Sequence, residues 1–136
     1  MFFLQNFIFR NFHTSIRILQ SRNEQKGLRK YLINNKTHCC IICDKLLPLC
    51  LLETAHIKPR SIISNNEKKN IINVELMCLY CHTLYDRGFI GIKKGILVKS
   101  DLLEYNLDYQ FMKPRYVYNK NNSKYFDYHY DNIFKK

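Results

Sequence analysis

"NVELMCLYCHTLYDRG", residues 73–88, sets Cys78, Cys81 and His82 side by side, with Asn73 ahead of them and Asp86, Arg87 and Gly88 behind. A C-x-x-C pair can chelate a metal from one tight turn, and a second pair, Cys40 and Cys43, stands upstream. Two such pairs suit tetrahedral thiolate coordination of a structural Zn²⁺ by Cys40, Cys43, Cys78 and Cys81. Cys39 is an alternative to Cys40 in the first turn. Cys50, inside the apolar run "LLPLCLL" (46–52), is expected in the core. A thiol redox role would call for a thioredoxin-like βαβ context, which neither pair has. Zinc thus accounts for four cysteines and leaves His82 without a task.

The chain has 136 residues, the size of one domain. Its hydrophobic fraction of 46% supports a core, and a core this small commonly relies on a metal or another staple. Lys and Arg number 22 against 11 Asp and Glu, a formal net charge of +11. Such an excess points to a polyanionic partner, nucleic acid first. The Asn-, Lys-, Ile- and Tyr-rich composition also fits the coding bias of an AT-rich genome, which weakens the charge argument without removing it.

Residues 1–23 carry Arg10, Arg17 and Arg22 among apolar residues, and the first acid is Glu24. This is the composition of a mitochondrial targeting segment. The stretch "RNFHTSIRIL" (10–19) resembles the two-step processing signal of mitochondrial precursors, which would begin the mature chain near Gln20. The alternative is an amphipathic helix packed on the domain of a cytosolic or viral protein. The segment is too short and too charged to span a membrane. No secretory signal with a small-residue cleavage site is visible, so disulfides are not expected.

Residues 24–35 read as a helix with Leu28, Tyr31 and Leu32 on one face, and 49–57 as a strand ending near His56. Residues 58–72 read as a polar, basic loop opened by Pro59. A helix is expected from Leu79 to a C-terminal cap at Gly88. Beyond it, 89–98 read as a β-hairpin turning at Lys93-Lys94-Gly95. Residues 113–124 read as a loop, and 124–134 as an aromatic-rich closing segment.

In chain order this gives a strand with His56, a loop, Asn73, a zinc knuckle and a helix with His82. Together with "LETAHIKPRS" (52–61), "LYDRGFIGI" (84–92) and "YFDYHYDNIF" (125–134), that order resembles the HNH endonucleases. These are ββα-metal nucleases, and the likeness is greatest to their restriction-like branch. The resemblance spans residues 38–134 and puts the three family letters on His56, Asn73 and His82. It implies an α+β, ββα-metal domain over residues 24–136 that hydrolyses DNA phosphodiesters, with RNA as the other substrate to consider. A neutral imidazole titrates near working pH, which suits His56 as general base. By the same resemblance Asn73 holds the loop and orients His56. His82 helps to hold a second, catalytic divalent ion, Mg²⁺ or similar.

Asp86 lies one helical turn after His82 and is the first candidate for a companion ligand; it could instead cap the helix or pair with Arg87. Many HNH enzymes carry an aspartate immediately before the first histidine, where Ala55 stands here. That departure leaves the companion ligand between Asp86 and Glu53. Lys58, Arg60 and Arg87 are candidate phosphate contacts. His82 as a zinc ligand and a non-catalytic, zinc-containing nucleic-acid-binding module are the competing readings. His129 matches the family's closing segment.

Overall fold

The computed structural model describes residues 22–103 and 120–136. The first 21 residues, hence most of the expected targeting segment, and 113–119 of the expected loop lie outside these. The helix expected over 24–35 runs across 22–35 and is called α1. It buries Leu28 and Leu32 and lays Tyr31 against the same core.

The central unit is two antiparallel strands followed by a helix. β1 (Leu52–His56) pairs with β2 (Val74–Cys78) in a register that sets Leu52 opposite Cys78 and His56 opposite Val74. α3 (Leu79–Asp86) follows β2 directly, with the Cys78 sulfur accepting from the Cys81 N–H as its N-cap. One residue therefore ends a strand, caps a helix and offers a thiolate. All five residues of β2 are buried, so "VELMC" lacks the alternation that marks a half-exposed strand. No strand was expected there from sequence.

The connection between β1 and β2 is more structured than the expected loop. It holds a 3₁₀ turn at Arg60–Ile62, a short helix α2 (Asn65–Lys68) and a second 3₁₀ turn at Ile71–Asn73. Pro59 precedes the first turn, the Ser64 hydroxyl caps α2, and the Asn70 side chain caps the last turn. Cys50 needs correction too. Pro48 starts a 3₁₀ turn at Leu49–Leu51 instead of a strand, and this leaves Cys50 exposed outside the core.

The hairpin forms as expected, with β3 (Ile90–Lys93) paired to β4 (Ile96–Lys99). Its turn residues, Lys94 and Gly95, both take positive φ (48° and 85°), the backbone that suits the twist of a two-residue hairpin. α4 (Ser123–Asn132) closes the molecule against β3 and buries Tyr125, Phe126 and His129. Gly88 serves two purposes. Its φ of 77° ends α3, and a Cβ there would come within 2.3 Å of the Ile133 carbonyl oxygen. Among the described residues no helix is long and apolar enough to cross a membrane.

Candidate active site and zinc centre

Four sulfurs converge first. The thiols of Cys40, Cys43, Cys78 and Cys81 lie within 4.8 Å of one another, with all but Cys43 fully buried. Each pair is shaped by the same local bond: the Cys43 N–H donates to Cys40 Sγ (3.5 Å), and the Cys81 N–H to Cys78 Sγ (3.4 Å). Zn–S distances near 2.3 Å put tetrahedral sulfurs about 4 Å apart, so the set fits a structural zinc. The sulfurs compete for protons. Hydrogen bonds from Cys78 and then Cys81 pull the Cys40 thiol down to about 2. Burial pushes Cys43 up to about 12, and the bond to Cys40 pushes Cys81 far up. A dication that displaced the remaining protons would satisfy all four. Cys39 is outside the cluster; its sulfur faces Asp44 Oδ1 at 3.9 Å, which settles the first knuckle on Cys40. His82 is not in the cluster either.

His56 ends β1 with its ring almost covered, 9% exposed. Its Nε2 lies 3.3 Å from the Lys68 carbonyl oxygen. A carbonyl only accepts, so Nε2 carries the hydrogen and, in the neutral ring, Nδ1 keeps the lone pair. Burial lowers the pKa of His56 below its ordinary value and favours that neutral ring. The chain just after His56 is held from two directions. Asn73 Oδ1 accepts from the Lys58 N–H (2.8 Å), and its Nδ2 donates to the Lys58 carbonyl (3.1 Å). The Asn73 carbonyl accepts from the Ile57 N–H (2.9 Å), while the Tyr85 hydroxyl donates to the Ile57 carbonyl (3.0 Å). The β-register explains why: pairing His56 with Val74 brings the preceding Asn73 alongside residues 57 and 58.

His82 projects from α3 between two carboxylates. Its Nε2 faces Asp86 Oδ2 at 3.1 Å, and its Nδ1 is hydrogen-bonded to Glu53 Oε2. Asp86 foremost, then Glu53, hold the ring's pKa up at about 9 against the opposing effect of burial. Both candidates for the companion ligand therefore meet His82, and Asp86 pairs with it instead of with Arg87. They meet it on opposite edges, so the three donors do not converge on one point as the cysteines do. Ala55 is fully buried in the core, and its methyl group offers no ligand at that position.

The expected phosphate contacts are less uniform. Arg60 is committed to Glu24 of α1, Nε to Oε1 at 3.1 Å and Nη2 to Oε2 at 3.4 Å. Lys58 sits 3.8 Å from Glu67 Oε2 and 4.4 Å above the Tyr128 ring. Arg87 is exposed at the end of α3. Three contributors were missed by sequence reading: Tyr85, Glu24, and Arg29, whose guanidinium bonds the carbonyls of Leu52 and Leu49. His129 is buried, with its ring stacked on Tyr85 (3.6 Å between centroids) and Nε2 donating to the Tyr85 carbonyl at 2.7 Å. It supports α3 from behind.

Two antiparallel strands and a helix, with a histidine at the end of the first strand and another on the helix, form the ββα arrangement that the sequence leads one to expect. The family model for HNH endonucleases matches residues 39–93, which hold both cysteine pairs, His56, Asn73 and His82. Over that segment, about two-fifths of the chain, the sequence is similar to the HNH endonucleases. No curated protein matches the chain.

Proposed function

We propose that the protein is a metal-dependent endonuclease that hydrolyses phosphodiester bonds in DNA, with His56 as the general base. The observation that carries this reading is the setting of His56: its Nε2 lies against the Lys68 carbonyl, and burial lowers its pKa, which together favour Nδ1 as the proton acceptor. In the proposed step, water at Nδ1 gives up a proton as its oxygen attacks phosphorus. Asn73 and Tyr85 fix residues 57 and 58, and so the end of β1 from which the base projects. A divalent cation held by His82 with Asp86 or Glu53 would stabilise the charge that builds on the leaving oxygen. Holding it requires His82 to give up a proton and one carboxylate contact, since both ring nitrogens face carboxylates. The zinc is structural, away from this chemistry.

The test is incubation of the purified protein with plasmid DNA, and separately with RNA, with and without Mg²⁺. The proposal expects divalent-dependent nicking or linearisation of DNA. DNA bound and never cut with Mg²⁺, Mn²⁺ or Ni²⁺ would overturn it. One observation favours a second reading, a zinc-containing module that binds nucleic acid without cutting it: Glu53, His82 and Asp86 do not converge on a point. Binding without cleavage is the outcome that reading requires.

A further inference from the structure

α1 lies outside the segment matched by the HNH family, residues 39–93, yet it builds one wall of the cleft that holds His82. The cleft has a volume of about 380 Å³; Lys26 and Arg29 of α1 face into it alongside Glu53 and Thr54 of β1 and His82 of α3. The two cations are one helical turn apart and therefore on one face of α1. Arg29 is fixed in place, with Nη1 donating to the Leu52 carbonyl at 2.7 Å and Nη2 to the Leu49 carbonyl at 2.8 Å. Carbonyls orient a guanidinium without neutralising it, and three of its five N–H donors remain for another acceptor. Lys26 is exposed and makes no hydrogen bond or ion pair among the described residues. Of the cations suggested by sequence, Lys58 and Arg60 differ in this respect, because each already faces a carboxylate, and Arg87 does not line this cleft.

We propose that Lys26 and Arg29 grip a backbone phosphate of the nucleic-acid strand that runs past His82. This rests on the nuclease reading and adds to it a binding contact from outside the HNH segment. Arg29, held rigidly, sets where the phosphate sits; Lys26, on a mobile stem, adds charge. Neither touches the reacting atoms, so the pair contributes to substrate binding more than to the chemical step.

Lys26→Gln tests this without disturbing the fold, since the Lys26 ammonium makes no hydrogen bond or ion pair among the described residues. Binding of a short DNA duplex is measured against salt concentration without added Mg²⁺, so that affinity is read without cleavage. Each phosphate neutralised contributes a slope of about −0.9 in log K against log salt. Lys26→Gln should therefore flatten the slope by about 1. In Mg²⁺ it should raise KM while leaving kcat nearly unchanged. Lys94→Gln, on the hairpin turn, removes the same charge elsewhere and should flatten the slope much less. Equal effects of the two substitutions would reduce Lys26 to its share of net charge and overturn the proposal. Wild-type protein that neither binds nor cuts nucleic acid would instead overturn the nuclease reading on which it rests.

Discussion

Asn73 directs both ends of its amide at one residue, Lys58, and is itself fully buried. Replacing it with alanine leaves a backbone donor and a backbone acceptor without partners, each worth about 1–3 kcal/mol when buried. Lys58 is only half-buried, so the lower end applies, and Asn73→Ala should cost about 2 kcal/mol. Thermal denaturation reads this as a Tm lowered by several degrees; an unchanged Tm would show that the two bonds do not hold the loop. The placement of His56, Asn73 and His82 on one strand end, the turn before β2 and α3 was legible from sequence because they fall in a recognisable order, with Cys78 and Cys81 between the last two. Tyr85, Arg29 and Glu24 were not, because each acts on a group 20 or more residues away. No local spacing announces such partners. The pairing of Arg60 was hidden for the same reason: only the fold brings Glu24 of α1 beside it.

At the scale of elements, α3 is held between the cysteine cluster at its start and α4 behind it, and His129 is the link to α4. Its ring is fully buried, and burial foremost holds its pKa at about 4, with the Tyr85 carbonyl and the Asp86 charge acting in the opposite direction. Between about 4 and its ordinary value of 6.5, the unfolded chain binds a proton there that the folded chain refuses. Stability from this residue is therefore complete above 6.5 and is lost as pH falls towards 4, on the order of 3 kcal/mol in all. Denaturant midpoints measured from pH 7 to pH 5 should fall more steeply for wild type than for His129→Gln, which cannot titrate. Parallel slopes would contradict this, and zinc release in acid affects both proteins alike. The hairpin and the end of α3 were readable because glycines stand where positive φ is needed. β2 was not, since a strand buried on both faces resembles any other apolar run. The turns between β1 and β2 are each a single turn, too short to show periodicity.

For the molecule as a whole, the zinc site joins the Cys40–Cys43 turn to the start of α3, and through it the ends of β1 and β2. Structural zinc in small domains contributes about 10–16 kcal/mol of apparent binding free energy. Small domains are stable by only about 5–15 kcal/mol, so loss of the ion should remove most of the fold. A strong chelator should abolish the near-ultraviolet circular dichroism, and added zinc should restore it at one ion per chain. A chelated protein that stays folded would contradict this role. Cys78→Ser should behave as the chelated protein does, because it removes a ligand and alters the cap of α3 together. The address of the molecule is a separate proposal. Residues 1–23 fused to a fluorescent protein should carry it into mitochondria, and a diffuse cytosolic signal would count against that. The cysteine cluster was readable from the two C-x-x-C pairs because a metal site constrains spacing more tightly than packing does, and the class from the order of His56, Asn73 and His82 around it. The net charge of +11 agreed with it but could not have located a site.

The central claim is that His56 takes the proton from the attacking water. The most direct measurement is the single-turnover cleavage rate of DNA by His56→Ala against wild type, with binding affinity and zinc content measured on the same samples. The account predicts a rate about 100- to 10,000-fold lower, with zinc retained and affinity nearly unchanged, because affinity rests on phosphate contacts made elsewhere. A variant that cuts as fast as wild type, or one whose loss follows weaker binding, would contradict it.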